Sequence, residues 1–402
     1  MREQQALAAG ARLAARAAAL GAGGGAGGAG RMRAWRLHAY GALAELRLEE
    51  ARAPALREPR DVLVRVSSAS LNPIDVAMIG GYGARALNTL RALEGAEGVE
   101  FPLVPGRDFA GVVERAGPAA SLRRGQRVWG VVPPHRQGSH AEFVVVRDEW
   151  AGPAPRALDE ASAGGALYAA LTACAALRAG GLAGGGLAGG GLAGGGARAR
   201  VLLLGLGGVG QAALQLLARR GALVTVACSA DLAERAERLG AAAALDRRAE
   251  DYERRLEAAG PYDVVLDCAG LGGEAAATLR CQFSRYVTLS SPLLRQMEAR
   301  GVAVGALCAG AALLAQSARA AAAVRTRGGG APTPLPPHVR WAFFSPSAAD
   351  IEQLRRLADR GQFGVFVERV FPWWEAREAY ERAAAGGARG KLLLDFTARR
   401  PQ

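Results

Sequence analysis

The chain has 402 residues, half of them hydrophobic, enough to bury one large core or two ordinary ones, and two domains are the better expectation. A formal net charge of +13 is carried almost wholly by Arg, with Lys391 the only lysine, and the cations lie among acids ("ERAERLG", "EQLRRLADRG") instead of forming a basic stripe with interleaved aromatics, which speaks against a nucleic-acid partner. The cysteines Cys174, Cys228, Cys268, Cys281 and Cys308 are odd in number, far apart and without a CxxC pair, which argues against a disulfide framework or a zinc cluster and for a reducing compartment.

Residues 1–31 set Arg2, Arg12, Arg16 and Arg31 against the single acid Glu3. This is the Arg-rich, acid-poor profile of a mitochondrial transit peptide followed by a Gly-rich joint; low-complexity filler is the other reading of the same residues. From Ala34 to about Arg156 the runs "DVLVRVSSASLNP", "FAGVVERAG", "QRVWGVVPP" and "HAEFVVV" predict short strands of a small, mostly antiparallel, barrel-like domain. "ASAGGALYAALTACAALRAG" predicts one or two small-residue helices.

Beyond it, apolar strands alternate with helices. "RVLLLG", "LVTVACS", "YDVVLDCAG", "RYVTLSSP" and "GVAVGAL" read as strands, and "GQAALQLLARRG" and "DLAERAERLGA" as helices, a pattern that predicts a parallel, doubly wound sheet. "VERVFP" and "RGKLLLDF" are expected to return to the first domain. Two low-complexity stretches, 181–196 and 325–337, read as surface loops. The longest apolar stretch, "VGALCAGAALLAQSA", closes at Arg319, short of the roughly 20 residues a spanning helix needs, so membrane contact is expected to be peripheral at most.

Gly205, Gly207 and Gly210 form G-x-G-x-x-G after a strand and at the start of a helix, where glycines permit the tight turn and the helix N-terminus offers free N–H groups to a pyrophosphate. An acid ending the next strand would bind the ribose 2′-OH of NAD; Ser229 stands there instead, with Arg235 or Arg247 as nearby cations, which favours NADPH. Asp231 follows two residues on and reads as a helix cap.

A barrel-like domain, an inserted nucleotide fold and a closing "GKLLLDF" strand together resemble the medium-chain dehydrogenase/reductase superfamily, over everything after the N-terminal segment. The resemblance implies an α/β fold: a GroES-like β-barrel-type catalytic domain from residues 32–160 and 340–402, and a Rossmann doubly wound parallel-sheet domain from residues 161–339. In zinc-dependent members a Cys and a Gly-His-Glu segment supply metal ligands. Asn72 and Arg107 occupy the matching positions, and His38, His135, His140 and His338 are scattered, so no metal is expected. Without a Lewis acid, the easier chemistry is hydride delivery from NADPH to an electrophilic quinone or conjugated double bond.

The "NPxD" signature, here Asn72-Pro73-Ile74-Asp75, is similar to that of the zinc-free quinone-oxidoreductase branch. "GYGARALN", "VEFPLVPGRD", "VPPHRQGSHAEFVVV", "YVTLSSPLL", "VRWAFF" and "ARGKLLLDF" further resemble the reticulon-interacting NADPH oxidoreductases of animal mitochondria within it. That likeness implies a quinone acceptor, a place in ubiquinone biosynthesis and in the mitochondrial matrix, and reticulon or ubiquinone-biosynthesis proteins as partners. Homodimers are common in the superfamily. Reduction of enals or enoyl thioesters, and an NADPH-binding partner protein without turnover, stay open as alternatives.

Asn72 is expected to contact acceptor or nicotinamide, with Asp75 holding its loop; an ordinary Asn-Pro turn capped by Asp75 fits the same residues. By resemblance, NADPH contacts fall on Gly207, Gly208, Val209 and Gly210 in the turn, Ser229 at the 2′-phosphate, Arg247, Cys268 and Leu289. Ala342, Phe343 and Phe344, then Gly387, Ala388 and Arg389, complete the set, with Thr172 on the helix between domains. The chain departs from the relatives in a glycine loop one residue shorter, and in Arg247, Cys268 and Gly387 where they carry Tyr, Asn and His.

Overall fold

Short β-branched runs broken by Gly and Pro become the first sheet. In the computed structural model, which describes residues 30–94, 100–182, 198–327 and 336–400, β1 (Arg31–Arg36) and β2 (Arg47–Arg52) form an antiparallel pair. Then come β3 (Asp61–Leu71), α1 (Pro73–Ile79), α2 (Ala84–Leu93), β4 (Asp108–Ala116), β5 (Arg127–Val131), β6 (Phe143–Arg147) and β7 (Ala151–Pro153). The long strand β3 is the spine of this domain: it pairs antiparallel with β4 along one edge, while the other edge is divided between β6 near its start and β15 near its end. Two register shifts against β4 bend it.

Helices α3 (Glu160–Gly164) and α4 (Leu167–Ala179) lead into the second sheet. Small apolar residues on every face let α4 sit buried between the sheets. The second domain follows in order: β8 (Arg200–Leu204), α5 (Gly208–Arg219), β9 (Leu223–Cys228), α6 (Ala233–Arg238), β10 (Ala243–Asp246), α7 (Tyr252–Ala258), β11 (Tyr262–Asp267), α8 (Ala275–Thr278) and β12 (Phe283–Thr288). It ends with α9 (Leu293–Arg300), α10 (Val302–Thr326) and β13 (His338–Trp341). The six strands are parallel in the order β10-β9-β8-β11-β12-β13, a doubly wound sheet. The chain then returns through α11 (Ala348–Asp359), β14 (Val367–Pro372), α12 (Ala376–Ala384) and β15 (Lys391–Asp395) to pair with β3.

Two sequence expectations are corrected. "GVAVGAL" is no strand: it opens α10, because a run dominated by Ala and Leu favours helix over the β pattern its first valines suggest. That helix also runs on through Arg319 to Thr326, so one described helix is long and apolar enough to span a membrane by length and composition, although no stretch was expected to be. Its inner face buries Gly305, Ala309, Gln316 and Ala320, while Val304, Leu307 and Leu314 face outward. Of the N-terminal segment, only Gly30 and Arg31 lie within the described residues, Arg31 as the first residue of β1; residues 183–196 and 328–335 of the two low-complexity stretches lie outside them, and Arg325 and Thr326, expected in the second loop, are instead the end of α10.

Candidate active site

The order of the parallel sheet reverses at β8, between β9 and β11, the place where doubly wound folds bind ligands in the crevice outside the strands' C-terminal ends; residues beyond β8 and β9 there lie beside the catalytic domain, Gly208 next to Lys391 and Ser229 next to Arg389. Gly205 has φ +88°, a left-handed conformation that favours glycine, and a methyl on Gly210 would come 2.2 Å from the Gly205 carbonyl oxygen. At Gly207 a methyl would meet nothing within 4 Å, so the backbone there is open to a ligand. Gly207 is also the N-cap of α5 and supplies no side-chain cap, which leaves the N–H groups of the first turn, Gly208, Val209 and Gly210, for an anion. The turn therefore fits a dinucleotide pyrophosphate.

The other residues expected at the cofactor lie at strand ends of the parallel sheet and on the helix between the domains. Cys268 follows β11, its N–H on the Leu204 carbonyl at 2.9 Å and its Cβ 3.7 Å from where a Gly210 methyl would stand. Leu289 follows β12, and Ala342 is tied to the end of that strand by its N–H on the Thr288 carbonyl, 2.9 Å. Thr172 lies on α4, its hydroxyl donated to the Tyr168 carbonyl at 2.7 Å. Phe343 is exposed, while Phe344 stacks on Tyr168 with centroids 4.2 Å apart and rings within 20°.

Ser229 directly follows β9, and the Arg389 guanidinium donates to its hydroxyl at 3.2 Å. Gly387 (φ +66°) and Ala388 form the loop that brings Arg389 there. Arg247, exposed, joins through its backbone, its N–H on the Cys228 carbonyl at 3.0 Å. Arg235 donates to the Arg389 carbonyl and lies over the Phe366 ring at 4.3 Å. Asp231 corrects the sequence reading: its carboxylate is not the cap of α6 but pairs with Arg389 Nε at 2.8 Å, because the returning loop before β15 delivers a cation the local sequence does not contain. Hydrogen bonding from Ser229 and the nearby Arg389 hold the Asp231 carboxyl below its usual range.

On the catalytic-domain side, the end of β3 and the start of α1 place Asn72 and Asp75 in a buried polar network. Asp75 accepts the N–H groups of Asn72 (2.8 Å) and Gly106 (2.9 Å) and faces Arg107 Nε at 3.4 Å. Burial pushes its carboxyl up, against the pull of Arg107. Asn72 is committed on both amide atoms: Oδ1 accepts from Lys391 Nζ at 2.7 Å, and Nδ2 donates to Asp108 Oδ1 at 3.0 Å. Asp108 also accepts the Ser70 hydroxyl (2.5 Å) and the Tyr168 N–H (3.3 Å). Burial raises the Asp108 carboxyl and lowers the Lys391 ammonium, each opposed by the other's charge.

Arg107 spends its guanidinium on the carbonyls of Pro133, Arg136 and Val104 at 3.0 to 3.1 Å. His140 is a satisfied core residue: its Nε2 donates to the Ser70 carbonyl (3.1 Å) and its Nδ1 accepts the Tyr380 hydroxyl (2.9 Å). Among the described residues no three His, Cys, Asp or Glu side chains come together to hold a metal ion.

Comparison with known proteins matches this architecture. Residues 58–156 fit the family model of the alcohol dehydrogenase GroES-like domain, and residues 239–394 that of zinc-binding dehydrogenases. The mitochondrial NAD(P)H oxidoreductase RTN4IP1 of Drosophila melanogaster is 40% identical over 91% of this chain and 86% of its own length. The chain belongs to the RTN4IP1 family of NAD(P)H oxidoreductases, within the medium-chain dehydrogenase/reductases. The mitochondrial reticulon-4-interacting protein 1 of Caenorhabditis elegans is 31% identical over 91% of the chain and 95% of its own length. The fold is shared with the quinone oxidoreductase structure from Coxiella burnetii (TM-score 0.68, 21% identity, 91% of this chain and 100% of that one).

Within this family frame, sequence reasoning missed Ser70, Asp108, Tyr168 and above all Lys391. The one available signal was compositional: a single lysine in a chain that otherwise uses Arg throughout.

Proposed function

We propose that this oxidoreductase is an NADPH-dependent, metal-independent quinone oxidoreductase of the mitochondrial matrix, acting in ubiquinone biosynthesis and meeting reticulon or biosynthetic proteins as partners. The observation that carries the NADPH preference is the pairing at the end of β9, where Ser229 takes the position of the usual acid and its hydroxyl lies 3.2 Å from the Arg389 guanidinium, whose charge also neutralises Asp231 two residues on. A hydroxyl and a planar cation suit a 2′-phosphate, whereas a carboxylate there would select the ribose 2′-OH of NADH.

In this reading the first turn of α5 holds the pyrophosphate, Ser229 and Arg389 the 2′-phosphate, and Cys268, Leu289 and Ala342 the rest of the cofactor. NADPH, once bound, supplies the hydride. The stacked Tyr168–Phe344 pair offers a flat apolar wall to a planar acceptor and helps keep water out. The Asp75–Arg107 pair fixes the loop that carries Asn72, so that positioning, not a Lewis acid, carries the catalysis. The relatives' names support a mitochondrial location, and the structural neighbour that shares the fold is named a quinone oxidoreductase.

The test is oxidation of NADPH by the full chain, followed through the absorbance of the reduced nicotinamide, with and without short-chain quinones and with NADH beside it. Quinone-dependent consumption that prefers NADPH is the expected result. Tight NADPH binding without turnover on quinones or enals would replace the enzyme with a cofactor-bound partner protein.

A further inference from the structure

Lys391 opens β15 and is buried at the junction of the two domains. It is the chain's only lysine. Its stem runs past the nucleotide-binding turn: a methyl at Gly208 would come 3.3 Å from Lys391 Cδ, and one at Gly165 3.4 Å from its Cβ. Gly165 and Gly208 thus leave a passage that a four-carbon chain with a compact ammonium can thread, whereas a planar guanidinium is a poorer match.

At the far end Nζ donates to Asn72 Oδ1 at 2.7 Å. An ammonium only donates, so the oxygen of the amide must face Lys391, and its nitrogen is then turned to Asp108 Oδ1 at 3.0 Å and Ser70 Oγ at 3.3 Å. One side chain therefore passes beside the first turn of α5, with no room between them for more than a hydrogen on Gly208 Cα, and dictates the orientation of the Asn72 amide.

We propose that Lys391 is a positioning residue of the redox site, mechanically joining the dinucleotide-binding turn at Gly208 to the amide of Asn72. The proposal rests on the NADPH reading of the crevice and is independent of which acceptor is reduced. If Lys391 served stability alone, through its attraction to the nearby buried Asp108, it would be dispensable once Asp108 is neutralised, because buried opposite charges replaced on both sides by neutral groups are often neutral in stability. A positioning lysine is not dispensable in that way, since Asn72 loses its orienting donor.

A single lysine makes the experiment direct. The full chain labelled with 13C,15N-lysine gives one side-chain spectrum, that of Lys391, recorded while NADP+ is added and its binding is measured independently by calorimetry. The expected result is a shift of the Lys391 Cε and Nζ signals that saturates with NADP+ occupancy, and an ammonium that titrates below the ordinary lysine range. NADP+ that binds without moving the lysine signals overturns the proposal and leaves the NADPH reading standing. No NADP+ binding overturns both.

Variants add a second arm. Lys391→Met is expected to lower both thermal stability and, with a short-chain quinone, kcat by about a hundredfold. Lys391→Met combined with Asp108→Asn is expected to regain stability but not kcat. Recovery of both would reduce Lys391 to a structural counter-ion and sink the idea. Should the variants fail to fold, the labelled wild-type chain still decides.

Discussion

At the scale of single residues, the selection between cofactors comes down to Ser229 and the charges beside it. A carboxylate at this position would repel a 2′-phosphate and would also compete with Asp231 for Arg389, which Asp231 already holds at 2.8 Å. Ser229→Asp is therefore expected to raise the KM for NADPH at least about tenfold, roughly 1.4 kcal/mol, and to lower that for NADH; steady-state kinetics with both cofactors is the check. His140 gives a second residue-level prediction. Burial lowers its imidazole from 6.5 to about 4, with Arg107 also opposing protonation and Asp108 and the Ser70 carbonyl favouring it. Between those values the unfolded chain binds a proton that the folded chain refuses, so the stability associated with His140 is full above about pH 6.5 and is lost as the pH falls toward about 4. Glutamine can donate to the Ser70 carbonyl and accept from Tyr380 without this titration. In His140→Gln the loss of stability on acidification should shrink by up to about 3 kcal/mol, read from urea unfolding near neutrality and near pH 4.5.

At the scale of elements, period and punctuation made most of the fold legible. The alternating runs that became β3, β4 and β6, and the strand-glycine-helix unit of β8 and α5, are local signals, and the sequence carries them within a few residues. The network around Asn72 was not legible because its partners are remote: the Lys391–Asn72 bond joins residues 319 apart in sequence, and Asp108 is reached across the β3–β4 ladder. Asp231 misled for the same reason, its partner lying on the loop before β15. The misreading of α10 had a different origin, since the spaced valines of "VAVG" imitate a strand while the Ala-rich remainder decides the conformation. Its outward leucines make few demands on the fold. Leu314, 74% exposed, has almost no burial to lose, so Leu314→Gln should change unfolding free energy by less than about 0.5 kcal/mol in a urea titration, whereas a fully buried leucine such as Leu203 should cost about 2 to 5 kcal/mol on truncation to Ala.

At the scale of the whole molecule, each sheet has a buried cluster of its own, and the two share a third. The shared cluster takes Trp129, Val131 and Ala154 from the catalytic domain, Leu167, Leu171 and Leu177 from α4, Val201, Val224 and Val264 from the parallel sheet, and Ile351 and Leu354 from α11. The chain also leaves the first sheet through α4 and closes it with β14 and β15, so the first sheet is complete only once the chain has returned from the second. Pulling the domains apart would expose this shared core and take Lys391 away from the turn at Gly208, so the two domains are expected to unfold together. A single calorimetric transition is expected for the described body of the chain, with equal van't Hoff and calorimetric enthalpies; two resolved transitions would show that α4 packs more weakly than its burial implies. Because the cofactor crevice lies on that same boundary, a ligand binding there stabilises the whole unit. NADP+ at about a hundred times its dissociation constant should add roughly 2.7 kcal/mol, moving the one transition upward as a whole, and NAD+ at the same concentration should move it less.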